Sequence, residues 1–461
     1  MVNKIFIIIS FISLIVIVSG CCKKVYKIDS ANLTYNGGSK YYLDIRTIEK
    51  INKGRKTFIL SGDKPVFIKH SDELMLKKGW KLTGESGNQG MIKEKSDITS
   101  AIKIKDADNI KINNFHLKMD VYVPAGDSAK SLIEIDNEKK LDGKIEIVNM
   151  TLSNHYSGVW IKRGSNIVLD SCLIYNNGHQ IYLGYLPKDS TQIYKYSVNE
   201  VTIKNSEIRD GQRAGNINGI KTLSNCKGIK ILNNLIANNV QDGIDLYPGG
   251  LDVLIRNNII RDNGIHGIEV KMYDKYHPEQ TGQVYKVQID NNKIINNGFN
   301  GVACLDPGTI YYAQGISITG NRIDSSGIYG IYSELPIRIE NNFLSRNGLK
   351  PNVKFDYRPI GYPGIYLLKG RLDKPSYIIN NEIIDQAPIR EINLAYWMVV
   401  TEAKSNTMIT NNKFVISNDF PYNFSKYGVG LINSSEYTNG KYVEDENKFS
   451  ELFTTKVVVN H

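Results

Sequence analysis

The feature that most constrains this chain is an internal repeat. VLIRNNIIRDNGIHGIEV (253–270) aligns without a gap on VQIDNNKIINNGFNGVAC (287–304), and the pattern recurs from Ile229 and Ile316. Weaker copies start at Ile145, Ile167 and Val201, with partial ones near Ile110, Ile337, Tyr377 and Met408. The shortest spacings are 22 residues (Asn149 to Ser171) and 24 residues (Asn233 to Asn257). Each unit holds two or three short runs that alternate apolar and polar residues and end in Asn or Gly, which is strand periodicity. One such unit cannot bury its apolar face alone, so the units must stack into a parallel β-helix. A leucine-rich repeat would need a Leu spacing that is absent.

Composition agrees. About one residue in ten is Asn, and 39 Gly stand against 13 Pro. Both Asn and Gly are poor helix formers but tolerate left-handed backbone angles at tight turns. The Asn-Asn pairs at 233–234, 257–258 and 291–292 should therefore stack in one turn. Asn233, Asn257 and Asn291 should lie above one another, with their amides bonded along the axis.

The ends differ from the repeat. Residues 1–20 read as an export signal, with Lys4 before the apolar run Ile5 to Val18, and Val-Ser-Gly-Cys follows. That ending resembles a bacterial lipobox, which implies cleavage before Cys21 and lipidation of its thiol, so a lipid bilayer is an expected partner. The expected location is the cell envelope, as a membrane-anchored lipoprotein facing periplasm or cell exterior. Residues 21–40 read as tether and 41–99 as cap and first coils, with a short helix over Tyr41 to Asn52. The β-helix itself spans 100–433, and 434–461, which lacks the repeat, reads as a C-terminal cap. Cys172, Cys226 and Cys304 show no zinc-type spacing and read as buried thiols. The formal charge of +10 falls to +9 once Lys4 leaves with the signal. Outside the cytoplasm, that balance fits an acidic polysaccharide better than nucleic acid. A monomer is expected.

The chemistry-bearing residues fall in one column. After the second turn of each unit comes a Gly-Ile strand, starting at Gly158, Gly219, Gly243, Gly267 and Gly301. The Ile or Val points inward, so the next residue points outward. That outward column reads Trp160, Tyr182, Lys221, Asp245, Glu269, Ala303, Tyr332, with Tyr247 and Lys271 one outward position further on. Two adjacent ionised carboxylates repel unless a cation or lysine lies between them. The coils at Gly219 and Gly243 have short connections, while Leu186 to Ser197 and Tyr273 to Gln283 are long, so these should wall a cleft. The insertion from Arg209 to Ile217 enters the same place.

The order of helix, SGD turn and KGWKLTGE strand (78–85) resembles the N-terminal region of pectate-lyase-like proteins, implying an all-β, right-handed parallel β-helix of about 10–12 coils with an N-terminal capping helix. Asn218-Gly-Ile-Lys221 and Gln241-Asp-Gly-Ile-Asp-Leu-Tyr247 resemble polysaccharide lyase family 9 over about 55 residues. That family uses calcium held by aspartates, with a lysine base one coil on. The resemblance places Ca²⁺ on Asp242 and Asp245, with Gln241 replacing one ligand. Glu269 stands at the family's base position and Lys271 two residues later. The same stretch is similar to glycoside hydrolase family 28, with Asn218, Gln241 and His266 at its motif turns; two of that family's carboxylates would then be amides, so the lyase resemblance is preferred.

The expectation is an enzyme cleaving an acidic polysaccharide by β-elimination. Asp242, Asp245 and Glu269 would hold the cation, Lys271 or Lys221 would be the base, and Arg213 would pair with the substrate carboxylate. Tyr182, Tyr247, Tyr273 and His266 would contact the sugar. A retaining hydrolase using Asp245 and Glu269, and a non-catalytic glycan-binding surface protein, are the alternatives.

Overall fold

The structure of the chain, a computed structural model, describes all residues except 1–23, 29–32, 36–40, 44, 46–47, 49–55, 62–64, 86–89, 95–98, 121–130, 140, 185–197, 212–216, 224–225, 248–250, 272–285, 307–314, 349–362, 370–374, 387–395, 404–406, 418–425, 433–444 and 461. Short strands succeed one another along the chain and stack in parallel into three ladders. In the first, Val253 pairs with Val287 and Val287 with Ile316. In the second, Ile236 pairs with Ile260 and Ile260 with Ile294. In the third, Ile220 pairs with Ile244 and Ile244 with Ile268. The inward members of all three ladders are isoleucine, valine and leucine at essentially zero exposure, forming one continuous core cluster down the axis. β-Branched side chains suit such a stack because their restricted rotamers pack coil on coil.

The two asparagines of each Asn-Asn turn divide the work. The first carries the left-handed angle, with φ of 56° at Asn233, 58° at Asn257 and 53° at Asn291. The second is buried and makes the axial ladder. Asn234 donates to Asn258 Oδ1 at 3.0 Å, Asn258 to Asn292 at 3.0 Å, and the chain continues through Asn321, Asn342, Asn381, Asn412 and Asn447. Asn233, Asn257 and Asn291 do stack, but the amides bonding along the axis belong chiefly to their neighbours. A left-handed residue turns its side chain toward solvent, whereas the next residue projects back under the coil. The Gly of each Gly-Ile strand has an equally local cause: a Cβ on Gly243 would sit 2.7 Å from the carbonyl oxygen of Gly267 on the next coil.

The stack extends beyond the segment that carries the clear repeat, and among the described residues one ladder alone contains 16 strands. Lys24–Ile28, inside the segment read as tether, is a strand in register with Lys56–Leu60. Its sequence, Lys-Val-Tyr-Lys-Ile, does not alternate polar and apolar residues, so no strand period marks it. At the other end, Thr455–Asn460 pairs with Lys426–Ile432, and Asn447 closes the asparagine ladder, so the C-terminal stretch adds coil as well as cover. Tyr41–Leu43, read as the start of a capping helix, is instead a strand that pairs antiparallel with Leu33–Tyr35 and parallel with Val66 and Phe67, so its apolar residues extend a ladder. Ile45 and Ile48 are helical and buried in the core, and residues 44, 46–47 and 49–52 of the expected helix lie outside the described residues. The export signal and Cys21 also lie outside them. No helix among the described residues is long and apolar enough to cross a membrane. Cys172, Cys226 and Cys304 are buried and unpaired with one another, and burial pushes their thiols up to about 11, 12 and 12.

Candidate functional site

The third ladder places the outward column as its alternation requires. Trp160 pairs with Tyr182, Tyr182 with Lys221, Lys221 with Asp245, Asp245 with Glu269, Glu269 with Ala303 and Ala303 with Tyr332. Ile244, Leu246, Ile268 and Val270 on either side belong to the core, so the charged residues between them face away from it. They are nonetheless buried. Asp245 is 1% exposed, Asp242 and Glu269 5%, and Lys221 9%. Alternation fixes the side of the sheet, not what lies over it.

Carboxylate oxygens of Asp242, Asp245 and Glu269 lie within 4.8 Å of one another. Lys221 Nζ donates to Asp245 Oδ2 at 2.7 Å, and Asn218 Nδ2 donates to the same oxygen at 3.0 Å. Asp245 Oδ1 is buried and has no hydrogen-bond partner. Lys271 is bonded to Glu269 Oε2. The Tyr247 ring lies beneath both ammoniums, 5.5 Å from Lys221 Nζ and 5.4 Å from Lys271 Nζ, a cation–π arrangement.

A second column, at the residue two positions before each inward Ile or Val, was missed by the sequence reasoning as a unit. It reads Ser157, His179, Asn218, Asp242, His266, Asn300, Tyr329, and it caps the turn coil by coil. The backbone N–H of Asn218 donates to His179 Nδ1 at 3.4 Å, that of Asp242 to Asn218 Oδ1 at 3.0 Å, and that of His266 to Asp242 Oδ1 at 2.9 Å. Asn300 N–H then donates to His266 Nδ1 at 3.4 Å, and Tyr329 N–H to Asn300 Oδ1 at 3.2 Å. The signal was available: every position immediately before the Gly in the coils from Asn218 to Asn300 is polar. His179 and His266 accept at Nδ1, so the neutral ring carries its proton on Nε2. His266 Nε2 faces Glu269 Oε1 at 3.7 Å. Burial, then the nearby lysine (Lys221 for His179, Lys271 for His266), pulls each imidazole down to about 3. Both rings are neutral donors at physiological pH.

The carboxyls move the other way. Burial, then Glu269 and Asp245, raises Asp242 well above the usual carboxylate range. Burial and Asp245 raise Glu269, with Lys271 opposing. Burial alone would lower the Lys271 ammonium, but Asp245, Glu269 and Asp242 together outweigh it and raise it. Further up the column, the His179 ring stacks on half-buried Tyr182 at 4.7 Å and 9°, and Trp160 tilts against Tyr182 at 5.6 Å. The structure thus brings together Asp242, Asp245, Glu269, Lys221, Lys271, His266 and Tyr247, with Tyr182 one coil before Lys221. Arg213, Tyr273 and both expected cleft walls lie outside the described residues.

Residues 131–311, which contain this cluster, match the family model described as right handed beta helix region. No curated protein matches the sequence significantly. Among solved structures, the chain is similar to the Dettilon tailspike protein at 13% identity and a TM-score of 0.51, covering 94% of this chain and 68% of that one. It is similar to the A-module of the Azotobacter vinelandii mannuronan C-5 epimerase AlgE6 at 11% identity and a TM-score of 0.47, covering 90% and 93%. A mannuronic acid specific polysaccharide family 6 lyase from human gut microbiota stands at 11% identity and a TM-score of 0.47, covering 93% and 91%. At such identities the likeness is one of fold. By its three parallel ladders, with a right handed beta helix region matched over residues 131–311, this chain has the fold of a right-handed parallel β-helix.

Proposed function

We propose that this protein is an exported, lipid-anchored enzyme that cleaves an acidic, uronate-containing polysaccharide by β-elimination at the Asp242–Asp245–Glu269 cluster. The observation that carries the reading is the cluster itself: three buried carboxylates from two adjacent coils whose oxygens lie within 4.8 Å, with Lys221 on Asp245, Lys271 on Glu269 and the backbone N–H of His266 on Asp242. Burying this much charge costs several kcal/mol per ion unless it is matched. A surface that only needed to stay soluble would not hold it there.

Elimination needs the uronate carboxylate neutralised, a base for the C5 proton, and a proton for the leaving oxygen. Donor chemistry fits a hard divalent cation such as Ca²⁺, since the three carboxylates offer oxygen ligands and Asp245 Oδ1 is buried without a partner. When bound, such an ion would supply positive charge for the substrate carboxylate. Asp242, Asp245 and Glu269 would hold it, while Asn218 fixes the orientation of Asp245 through Oδ2. Lys271 is the base of this reading, with Lys221 the second candidate. Its ammonium becomes a usable base only when the charge of the neighbouring carboxylates is offset, because they hold its proton on. Tyr247 holds both ammoniums near its ring, Tyr182 offers a face to a sugar ring, and His266 presents a neutral N–H beside Glu269.

The retaining-hydrolase reading draws on one observation, the raised Glu269 carboxyl one strand spacing from Asp245. Incubating the mature protein with a panel of uronic-acid polysaccharides, with and without EDTA, separates the readings. Lyase products absorb in the ultraviolet through their new double bond, hydrolase products show new reducing ends without that absorbance, and a binding protein yields neither.

A further inference from the structure

The cluster already contains two cations of its own. Lys221 is on Asp245 and Lys271 on Glu269, and each ammonium also lies over Tyr247. Three carboxylates meet two ammoniums within one buried patch. A divalent ion placed among the carboxylate oxygens would be attracted by the acids and repelled by both ammoniums at short range. The bonds that hold the lysines also occupy Asp245 Oδ2 and Glu269 Oε2, oxygens that a hard ion with six to eight ligands would use.

We propose that Lys221 and Lys271 are resident counter-cations of the carboxylate cluster, and that a divalent cation and an anionic sugar enter it together. The sugar's carboxylate pairs with the Lys221 ammonium and the cation, and the cation takes the carboxylate oxygens that both lysines release. This rests on the reading of the cluster as a uronate site. Tyr247 makes the exchange possible without a large movement, because its ring stays within 5.5 Å of both ammoniums while their carboxylate partners change. The two ligands are then coupled, and by linkage each raises the other's affinity by the same factor. An ion alone binds weakly, because nothing draws the lysines away.

The test uses calorimetric titration of calcium chloride into the mature protein and into Lys221→Met and Lys271→Met, with no sugar present. Removing one positive charge at contact distance should tighten calcium binding at least about tenfold. Methionine keeps the length of the side chain, and circular dichroism checks the fold. Lys221→Met strands a buried carboxylate and should lower stability; calcium should then raise its melting temperature by more than it raises that of wild type. Lys271→Met, whose side chain is 27% exposed in wild type, provides the second variant. The proposal is overturned if wild type binds calcium as tightly as the folded variants do, or if the folded variants bind it no better than wild type. None of these readouts involves turnover, so the proposed reaction could fail while the counter-cation role stands, and the reverse.

Discussion

Replacing Asn258 by alanine should be far more damaging than replacing Asn257, although the two are adjacent and chemically identical. Asn258 Oδ1 accepts from the backbone N–H of Asn234 at 2.9 Å, and its Nδ2 donates to the carbonyl of Ile231 at 2.9 Å. Nothing replaces the acceptor for Asn234 N–H in alanine, and the Ile231 carbonyl loses this donor. Three other contacts are less costly to lose, the first because Asn234 Nδ2 still donates to the Ile203 carbonyl. The Arg256 carbonyl still accepts from Asn233 N–H, and Asn292 Oδ1 still accepts from Asn258 N–H. Stranding one or two buried polar groups costs about 1–3 kcal/mol each, so Asn258→Ala should lose about 2–5 kcal/mol. Asn257→Ala keeps every one of these bonds and strains only a left-handed residue, at about 1 kcal/mol, and Asn257→Gly should be near neutral. A solenoid couples mainly to its neighbours, so the loss should concentrate in the coils around 234, 258 and 292. Denaturant unfolding gives the size, and amide exchange in those coils gives the location. An Asn258→Ala variant that costs no more than Asn257→Ala would refute the division of roles between the two asparagines.

Three further outcomes follow from the site and the ends. Cys21→Ala should move the protein from the membrane to the soluble fraction; an unchanged membrane fraction would remove the lipobox. Asp242 has a folded value raised above its unfolded one, so the folded state takes up a proton there, and stability falls as pH rises from the unfolded value near 4 through the raised one. Asp242→Asn should abolish that part of the decline in EDTA-treated protein, and pH-dependent melts superimposable on those of wild type would contradict the assigned environment. Lys271→Ala should lose turnover while substrate affinity is largely kept, because proton abstraction is a transition-state task; loss of binding with turnover unchanged at saturation would assign it to substrate capture instead.

Much of the architecture was legible because it rests on local rules. The period-two runs set the strands, and the repeat alignment set the register closely enough that Trp160, Tyr182, Lys221, Asp245, Glu269, Ala303 and Tyr332 do stack. The strand at Lys24–Ile28 was not legible, because Lys-Val-Tyr-Lys-Ile lacks the period-two alternation and no Asn-Asn turn follows it. Nor could alternation tell which asparagine of a pair would bond axially, since that depends on where a left-handed residue sends its side chain. The burial of Asp245 and Glu269 escaped for a related reason: a strand pattern assigns a residue to one face, and the density of Lys221, Lys271, Tyr247 and His266 around them is a three-dimensional fact. The turn column from His179 to Asn300 was within reach, had the residue before each Gly been read as carefully as the one after the Ile.

The most direct measurement is the ultraviolet absorbance released from a uronic-acid polysaccharide that wild type degrades, followed for wild type and Asp245→Ala with EDTA, with calcium, and with excess calcium. The account predicts that wild type generates the absorbance of a new double bond, that EDTA suppresses it, and that Asp245→Ala loses it and recovers part of it in excess calcium. Undiminished rates in Asp245→Ala would contradict the site, and new reducing ends without the absorbance would contradict the reaction.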